Sequence, residues 1–323
     1  MVLRPDDDRM PFRHRLLAAS VAVMWGLNFL AIDASLGHFP PMFLVALRFA
    51  VIAVPTIFLV PRPQVPVRWL VGYGVGFGIL QFTFLYWGMA VGMPAGLASL
   101  VLQASGPFTV VLGATFLRER VGSRQVAGIL VAVAGLTVVG WQQAQTAALL
   151  PFLLTLAGAL GWAIGNISNR QARPQNPLHL TLWMSVVPPV PMLAVALVVE
   201  GPAEIVGSLT SFDDPGAVGA LVGLAYTVVV GTVLGSGIWT WLMARHPAGV
   251  VAPYSMLVPV VGMAAAWVVL GEAVSVPELG GAALVVAGVL WGGARRRARA
   301  EEPSGSGGAA RGRGSSGLVV ARR

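Results

Sequence analysis

Residues 94–119 read PAGLASLVLQASGPFTVVLGATFLRE, and residues 247–272 read PAGVVAPYSMLVPVVGMAAAWVVLGE. Shifted by 153 positions, Pro94-Ala95-Gly96 falls on Pro247-Ala248-Gly249 and Glu119 on Glu272, and the register continues through Gly128 on Gly281 and Ala134-Gly135 on Ala287-Gly288. An earlier echo sets Trp25-Gly26-Leu27-Asn28 against Trp162-Ala163-Ile164-Gly165-Asn166 at an offset of 137; a longer acidic loop in the second half makes up the difference of 16. Each quoted stretch is apolar over about 20 residues, the length an α-helix needs to cross a ~30 Å hydrocarbon core. The chain therefore reads as two related halves made of membrane helices.

Composition leads to the same class. Of 323 residues 56% are apolar and 11% charged, against roughly 25% charged in soluble domains. The charge is also segregated: 7 charged residues lie in positions 1–15 and 10 in positions 294–323, leaving 17 for the 278 residues between. An ordinary soluble enzyme is excluded. Apolar runs bounded by Arg, Pro or Gly predict ten helices, at about Leu16–Ile32, Phe39–Val60, Trp69–Val91, Ala95–Leu117, Val126–Trp141, Leu149–Asn169, Leu178–Val199, Ala217–Met243, Ala248–Leu270 and Leu279–Gly293. The domain reading is a short segment over 1–13, five-helix halves over 14–145 and 146–293, and a Gly-, Ser- and Arg-rich tail over 294–323. That tail cannot bury a core and is expected to be disordered.

The net charge of +8, all of it from arginine since there is no lysine, admits nucleic acid in principle, but its distribution does not. On a ten-span topology with a cytoplasmic N-terminus, 20 of the 21 arginines fall on one side, and the opposite loops carry no Arg and hold Asp33, Glu200, Glu204, Asp213, Asp214 and Glu272. Cytoplasmic loops retain arginine, so both termini are expected inside. Trp25, Asn28 and Phe29 in the first run, and no small-residue cleavage site after it, argue against a removable signal peptide. Five helices per half is an odd number, so the halves must sit inverted. Such repeats hold a substrate near the bilayer midplane and alternate its access.

Longer runs resemble a known family. Trp25-Gly26-Leu27-Asn28-Phe29, Pro40-Pro41 with Leu47-Arg48-Phe49, and the Glu119 and Glu272 helix ends resemble the EamA family of the drug/metabolite transporter superfamily over residues 14 to about 293. Gly92 to Gln103, Trp162 to Ile167, and Val251-Ala252-Pro253 with Leu257 to Gly262 are similar to its branch of bacterial O-acetylserine and cysteine exporters. The resemblance implies a ten-helix inner-membrane exporter of small amino-acid-like metabolites. At Tyr86-Trp87 and Gly106-Pro107 the chain departs from that branch, changes that would reshape a pocket.

Within the spans a few residues stand out. Arg48 lies eight residues into its helix, about 12 Å at 1.5 Å per residue, near the bilayer centre, where an arginine costs roughly 2.5–3.5 kcal/mol on insertion scales. It either binds a substrate carboxylate or is structural, tied to backbone carbonyls or to Asp33. The amides Asn28, Gln81, Gln103, Asn166 and Asn169 must face protein or water, and Asn28 and Asn166, one in each half, could grip the polar ends of a solute or bond between helices. Trp239 and Tyr254 are the preferred aromatics for contact with a substrate ammonium; Tyr86, Trp87 and Tyr226 read equally as anchors at the membrane interface. Pro107 and Pro259 should break the fourth and ninth helices, and Pro188, Pro189 and Pro191 the seventh, exposing backbone groups to a substrate.

No Asp or Glu lies in mid-span, His179 and His246 fall near the cytoplasmic face, and neither a nucleotide-binding loop nor a metal-ligand cluster is present. No cofactor, metal or nucleic-acid partner is expected; the partners are a small solute and the bilayer, and the oligomeric state is open. A drug or other metabolite exporter of the same fold is the nearest alternative, with a membrane enzyme or passive channel beyond it.

Overall fold

The computed structural model describes residues 10–146, 149–213 and 215–293, and all regular structure among them is helical. The tail over 294–323 and most of the 1–13 segment lie outside the described residues. Nine helices among the described residues are long and apolar enough to cross a membrane: α1 Phe12–Leu36, α2 Pro41–Leu59, α3 Val67–Ala90, α4 Ala95–Leu117, α5 Ser123–Gln145, α6 Leu150–Ala172, α7 Pro177–Val199, α8 Pro215–Arg245 and α9 Ala252–Leu270. A tenth apolar helix, α10, covers Val276–Gly292. At 1.5 Å per residue its 17 residues reach only about 26 Å, which sets it apart from the others.

α1 begins four residues earlier than the apolar run. Its first turn is polar and is stapled from outside the run, Arg15 Nε donating to the Met10 carbonyl at 2.8 Å. α5 likewise starts at Ser123 and carries a polar last turn.

The helix breaks fall just ahead of Pro107 and Pro259, and the second contains a proline of its own, Pro253. α4 tightens to a 3-10 turn over Leu102–Ala104 and α9 over Ala252–Met256, each just ahead of its proline. A proline ring clashes with the carbonyl four residues earlier and supplies no N–H to it, so the distortion precedes Pro107 and Pro259. The freed Ser255 carbonyl accepts instead from Gln103 Nε2 at 3.3 Å, joining the two broken turns. α7 pauses between Met184 and Pro189.

Two further distortions carry no proline. α3 widens into a π-helix over Gly74–Gln81 and α8 over Tyr226–Leu234, where the Thr232 hydroxyl donates to the Thr227 carbonyl five residues back at 2.9 Å. A π-turn rotates the side chains that follow it, and both π segments face the centre of the bundle.

Glycine permits the closest approaches. A Cβ on Gly76 would lie 2.4 Å from the Gly165 nitrogen where α3 meets α6, and one on Gly135 would lie 2.5 Å from the Gly281 carbonyl where α5 meets α10. Without a hydrophobic drive between helices in lipid, such backbone-to-backbone packing is the main adhesive.

The helix ends hold a recurring arrangement. α4 and α9 both terminate in a left-handed residue, Arg118 at φ 54° and Gly271 at φ 69°. The next amides, Glu119 N and Glu272 N, donate back to Gly113 and Ala266 carbonyls at 3.2 and 3.3 Å. Glu272 then offers its carboxylate to the start of α4, accepting from Ala95 N and Gly96 N at 2.7 and 2.9 Å. Glu200 does the same for α2, accepting from Met42 N and Phe43 N at 2.6 and 2.9 Å. Each carboxylate satisfies two first-turn N–H groups that have no partner within their own helix.

Candidate substrate-binding site

The distorted segments converge on one cavity of about 560 Å³, a size suited to a small organic solute. The α3 π-turn contributes Phe77 and Gln81, the α8 π-turn Gly231 and Thr232, the α4 break Gln103, and the α9 break Ser255 and Met256. Irregular backbone at membrane depth is tolerated where it lines such a space. The lining runs from Arg48 and Asn28 down to Asn169, Thr181 and Thr240, and takes nothing from the helix ends held by Glu200 and Glu272.

Arg48 is its electrostatic centre. Only 4% exposed, it donates from Nη1 to the Tyr86 hydroxyl at 2.9 Å and from Nη2 to Thr232 Oγ1 at 3.1 Å. Its guanidinium lies over the Phe82 ring, 3.9 Å from the centroid. No bond is made to Asp33 or to a backbone carbonyl, so the structural anchor anticipated for this residue is replaced by two hydroxyls. Nε is buried and makes no hydrogen bond, and none of the lining residues is acidic. The positive charge is thus held, oriented and left without a counter-ion in the cavity, an arrangement that favours an anionic guest.

Two buried amide oxygens are also unpaired, Asn28 Oδ1 and Gln81 Oε1. Asn28 sits against Gly231, where a Cβ would come within 2.8 Å of Oδ1, and Gly231 adjoins the Thr232 that holds Arg48. Gln81 precedes Phe82, the ring beneath the guanidinium. Asn28, Arg48 and Gln81 all line the same cavity, with the unmet atoms themselves enclosed in its wall.

Of the residues singled out by sequence, Asn28, Arg48, Gln81, Gln103, Asn166, Asn169 and Trp239 line the cavity. Asn166 is committed elsewhere, donating from Nδ2 to Thr109 Oγ1 at 3.2 Å. Trp239 packs against Trp25 with centroids 5.2 Å apart and the rings tilted by 51°, and Trp25 Nε1 donates to the Gly231 carbonyl at 2.9 Å. Tyr254 is absent from the lining; it packs instead with Trp239 against the cluster of Met10, Ala18, Leu242 and Val251. Pro107 and Pro259 do not line it either, acting only through the turns they distort. Trp87 faces outward, whereas Tyr226 donates to the Met24 carbonyl at 3.1 Å.

Tyr86, Phe82, Thr232 and Trp162 were not preferred by sequence. Tyr86 resembled an interface anchor because it lies near a span end; its spacing from Phe82, four residues along one helix face, was the signal that could have turned it inward.

The EamA-like transporter family model matches residues 14–141 and 149–292. This chain belongs to the EamA-like transporter family. As an EamA-family member with nine long apolar helices among the described residues, it is a multi-pass protein of the cell (inner) membrane, and its family and relatives point to a transporter rather than an enzyme. It is 44% identical over 279 residues to a probable amino-acid metabolite efflux pump of Salmonella typhimurium, covering 84% of this chain and 92% of that protein. A probable amino-acid metabolite efflux pump of Escherichia coli is 41% identical over 280 residues, 85% of this chain and 92% of the relative. A more distant relative, a probable terminal-alkyne amino-acid exporter of Streptantibioticus cattleyicolor, is 28% identical, with 68% of this chain and 71% of that protein aligned. One crystal structure superposes with a TM-score of 0.56 at 19% identity, over 87% of this chain and 96% of that one, a likeness of fold alone.

Proposed function

We propose that this EamA-family protein is a secondary exporter of small amino-acid-like metabolites, of the O-acetylserine and cysteine type, working by alternating access. In this reading ten helices span the membrane with both termini in the cytoplasm, α10 thinning the bilayer locally to complete the count. The observation that carries the substrate class is Arg48: a fixed, buried guanidinium in the wall of a cavity without carboxylates. It takes the substrate carboxylate by charge-assisted hydrogen bonds. The unpaired oxygens of Asn28 and Gln81, on residues that line the same cavity, take the ammonium, so a zwitterion meets one positive donor and two acceptors. The relatives' names support an amino-acid metabolite as cargo.

Alternating access is supported by the cavity's direction. Its lining reaches the arginine-bearing helix ends and stops short of the Glu200 and Glu272 ends, consistent with one face open and the other shut. Movement without ATP follows from rocking of two inverted halves about the site.

A second reading, export of a bulkier drug-like or other metabolite, is favoured by the aromatic lining of Trp25, Trp162, Trp239 and Phe77. Purified protein in proteoliposomes distinguishes them. Preloaded unlabelled O-acetylserine or cysteine should drive transient accumulation of labelled substrate. The 2-hydroxy acid and the amide of the same amino acid should compete weakly, since each lacks one end of the zwitterion. Counterflow with drugs and with no amino acid would overturn the primary assignment.

A further inference from the structure

We propose that Glu200 and Glu272 are the gate at the closed end of the molecule, and that Glu119 forms the matching contact with the backbone at residues 248 and 249 when the opposite end closes. This rests on the alternating-access reading above and adds which groups hold each state.

The closed end is held by one device used twice. Glu272 bridges Ala95 N and Gly96 N, and Glu200 bridges Met42 N and Phe43 N, each carboxylate spending both oxygens on two successive amides. In both cases the carboxylate comes from the second half of the sequence and the helix start from the first. Neither contact can survive if the halves part at this end. Gly96 lets α4 come close enough: a Cβ there would lie 3.0 Å from Met263 Cα and 3.1 Å from Glu272 Oε2.

Glu119 is the counterpart of Glu272 at a shift of 153 and leaves an equivalent left-handed helix end. Its carboxylate is engaged differently, in an ion pair with Arg170 Nη2 at 2.7 Å in which both side chains are about half exposed, 48% and 49%. Exposed pairs of this kind contribute little net stability, so the carboxylate is free to exchange partners. The same shift carries Ala95 and Gly96 onto Ala248 and Gly249, where a short helical stretch, Ala248–Val251, runs on toward α9. Inverted halves trade conformations between the two states, so the contact Glu272 makes in one is the contact Glu119 makes in the other.

The second device has no such counterpart. Asn176 caps the start of α7 locally, accepting from Leu178 N and His179 N at 3.0 and 3.4 Å. The end remote from the arginines thus has two caps between the halves and the other end one, which biases the resting protein toward the state described here.

The absence of native cysteine allows a direct test. A single Ser236→Cys reporter, on the cavity wall and half-buried, is labelled with a membrane-impermeant maleimide in intact cells and in inside-out vesicles. Glu272→Gln and Glu200→Gln should each raise labelling from outside by about tenfold, the loss expected when charge-assisted hydrogen bonds become neutral ones. Glu119→Gln should lower it, and Glu119→Gln with Glu272→Gln should return toward the parent ratio. A purely structural role for these residues would not give shifts of opposite sign. If the parent labels from both faces but the three variants leave the ratio unchanged or move it in one direction, the gate is overturned. If the parent labels from one face only under every substrate gradient, alternating access itself fails.

Discussion

The guanidinium carbon of Arg48 lies 3.9 Å from the centroid of the Phe82 ring. The ring covers one face of a cation whose edges are held by Tyr86 and Thr232, so the group is fixed in plane before any substrate arrives. Preorganisation of this kind avoids the entropy cost of ordering a long side chain on binding.

Function and stability should separate at Arg48. A buried cation without a carboxylate partner is costly, and apolar replacements at such sites are often neutral or stabilising. Arg48→Met combined with Tyr86→Phe should therefore keep or raise the thermal midpoint in detergent, while transport of amino acids falls at least tenfold. A stable double variant with unimpaired counterflow would remove Arg48 from the binding site.

Phe82→Leu keeps the volume of the wall approximately but removes the ring beneath the cation. Cation–π contacts contribute about 0.5–2 kcal/mol, so the apparent affinity for carboxylate substrates should weaken several-fold, read as a higher KM for uptake at unchanged expression.

Close packing of α5 on α10 predicts a stability effect without a transport signature. Gly135→Val would place side-chain atoms where a Cβ alone is already 2.5 Å from the Gly281 carbonyl. Overpacking costs typically 1–3 kcal/mol. The thermal midpoint should drop, with activity per folded molecule retained by the fraction that survives purification.

The C-terminal end of α8 carries a titratable contact. His14 Nδ1 and His246 Nε2 are 2.6 Å apart, beside Trp241 and Arg245. Burial, then His14, then Arg245 hold His246 below its ordinary value of 6.5. A base with a depressed pKa resists protonation in the folded state, so its contribution to stability is complete above 6.5 and is lost as pH falls below it. The thermal midpoint should decline from about pH 8 to about pH 5, and His246→Gln should make that decline shallower.

Much of the architecture was legible in the sequence because it is encoded locally. Apolar runs of about 20 residues specify membrane helices whatever packs against them, and α2, α4 and α6 begin within two residues of where those runs predict. The mid-span position of Arg48 was enough to mark it, since so expensive a residue must have a use. Prolines announced distortion in α4 and α9. Pro107 and Pro259 misdirected its position by a turn, because the strained group is the carbonyl four residues back, and Gln103 and Ser255 rather than these two prolines meet the cavity. Tyr254, preferred for its depth in the span, sits in the 3-10 turn of α9 and packs beside Trp239 outside the lining.

The sequence by itself determined the membrane class, the family and the short set of polar residues that lipid would not tolerate without purpose. Only the tertiary structure decided what those residues do together. Arg48 finds Tyr86 at a separation of 38 residues and Thr232 at 184, and the π-turns that aim Gln81 and Thr232 inward leave no proline in the sequence to announce them. Hydropathy is a property of one helix read alone, whereas hydrogen-bond partners depend on how helices rotate and abut. In this protein that is set by glycine contacts between distant segments, such as Gly76 against Gly165.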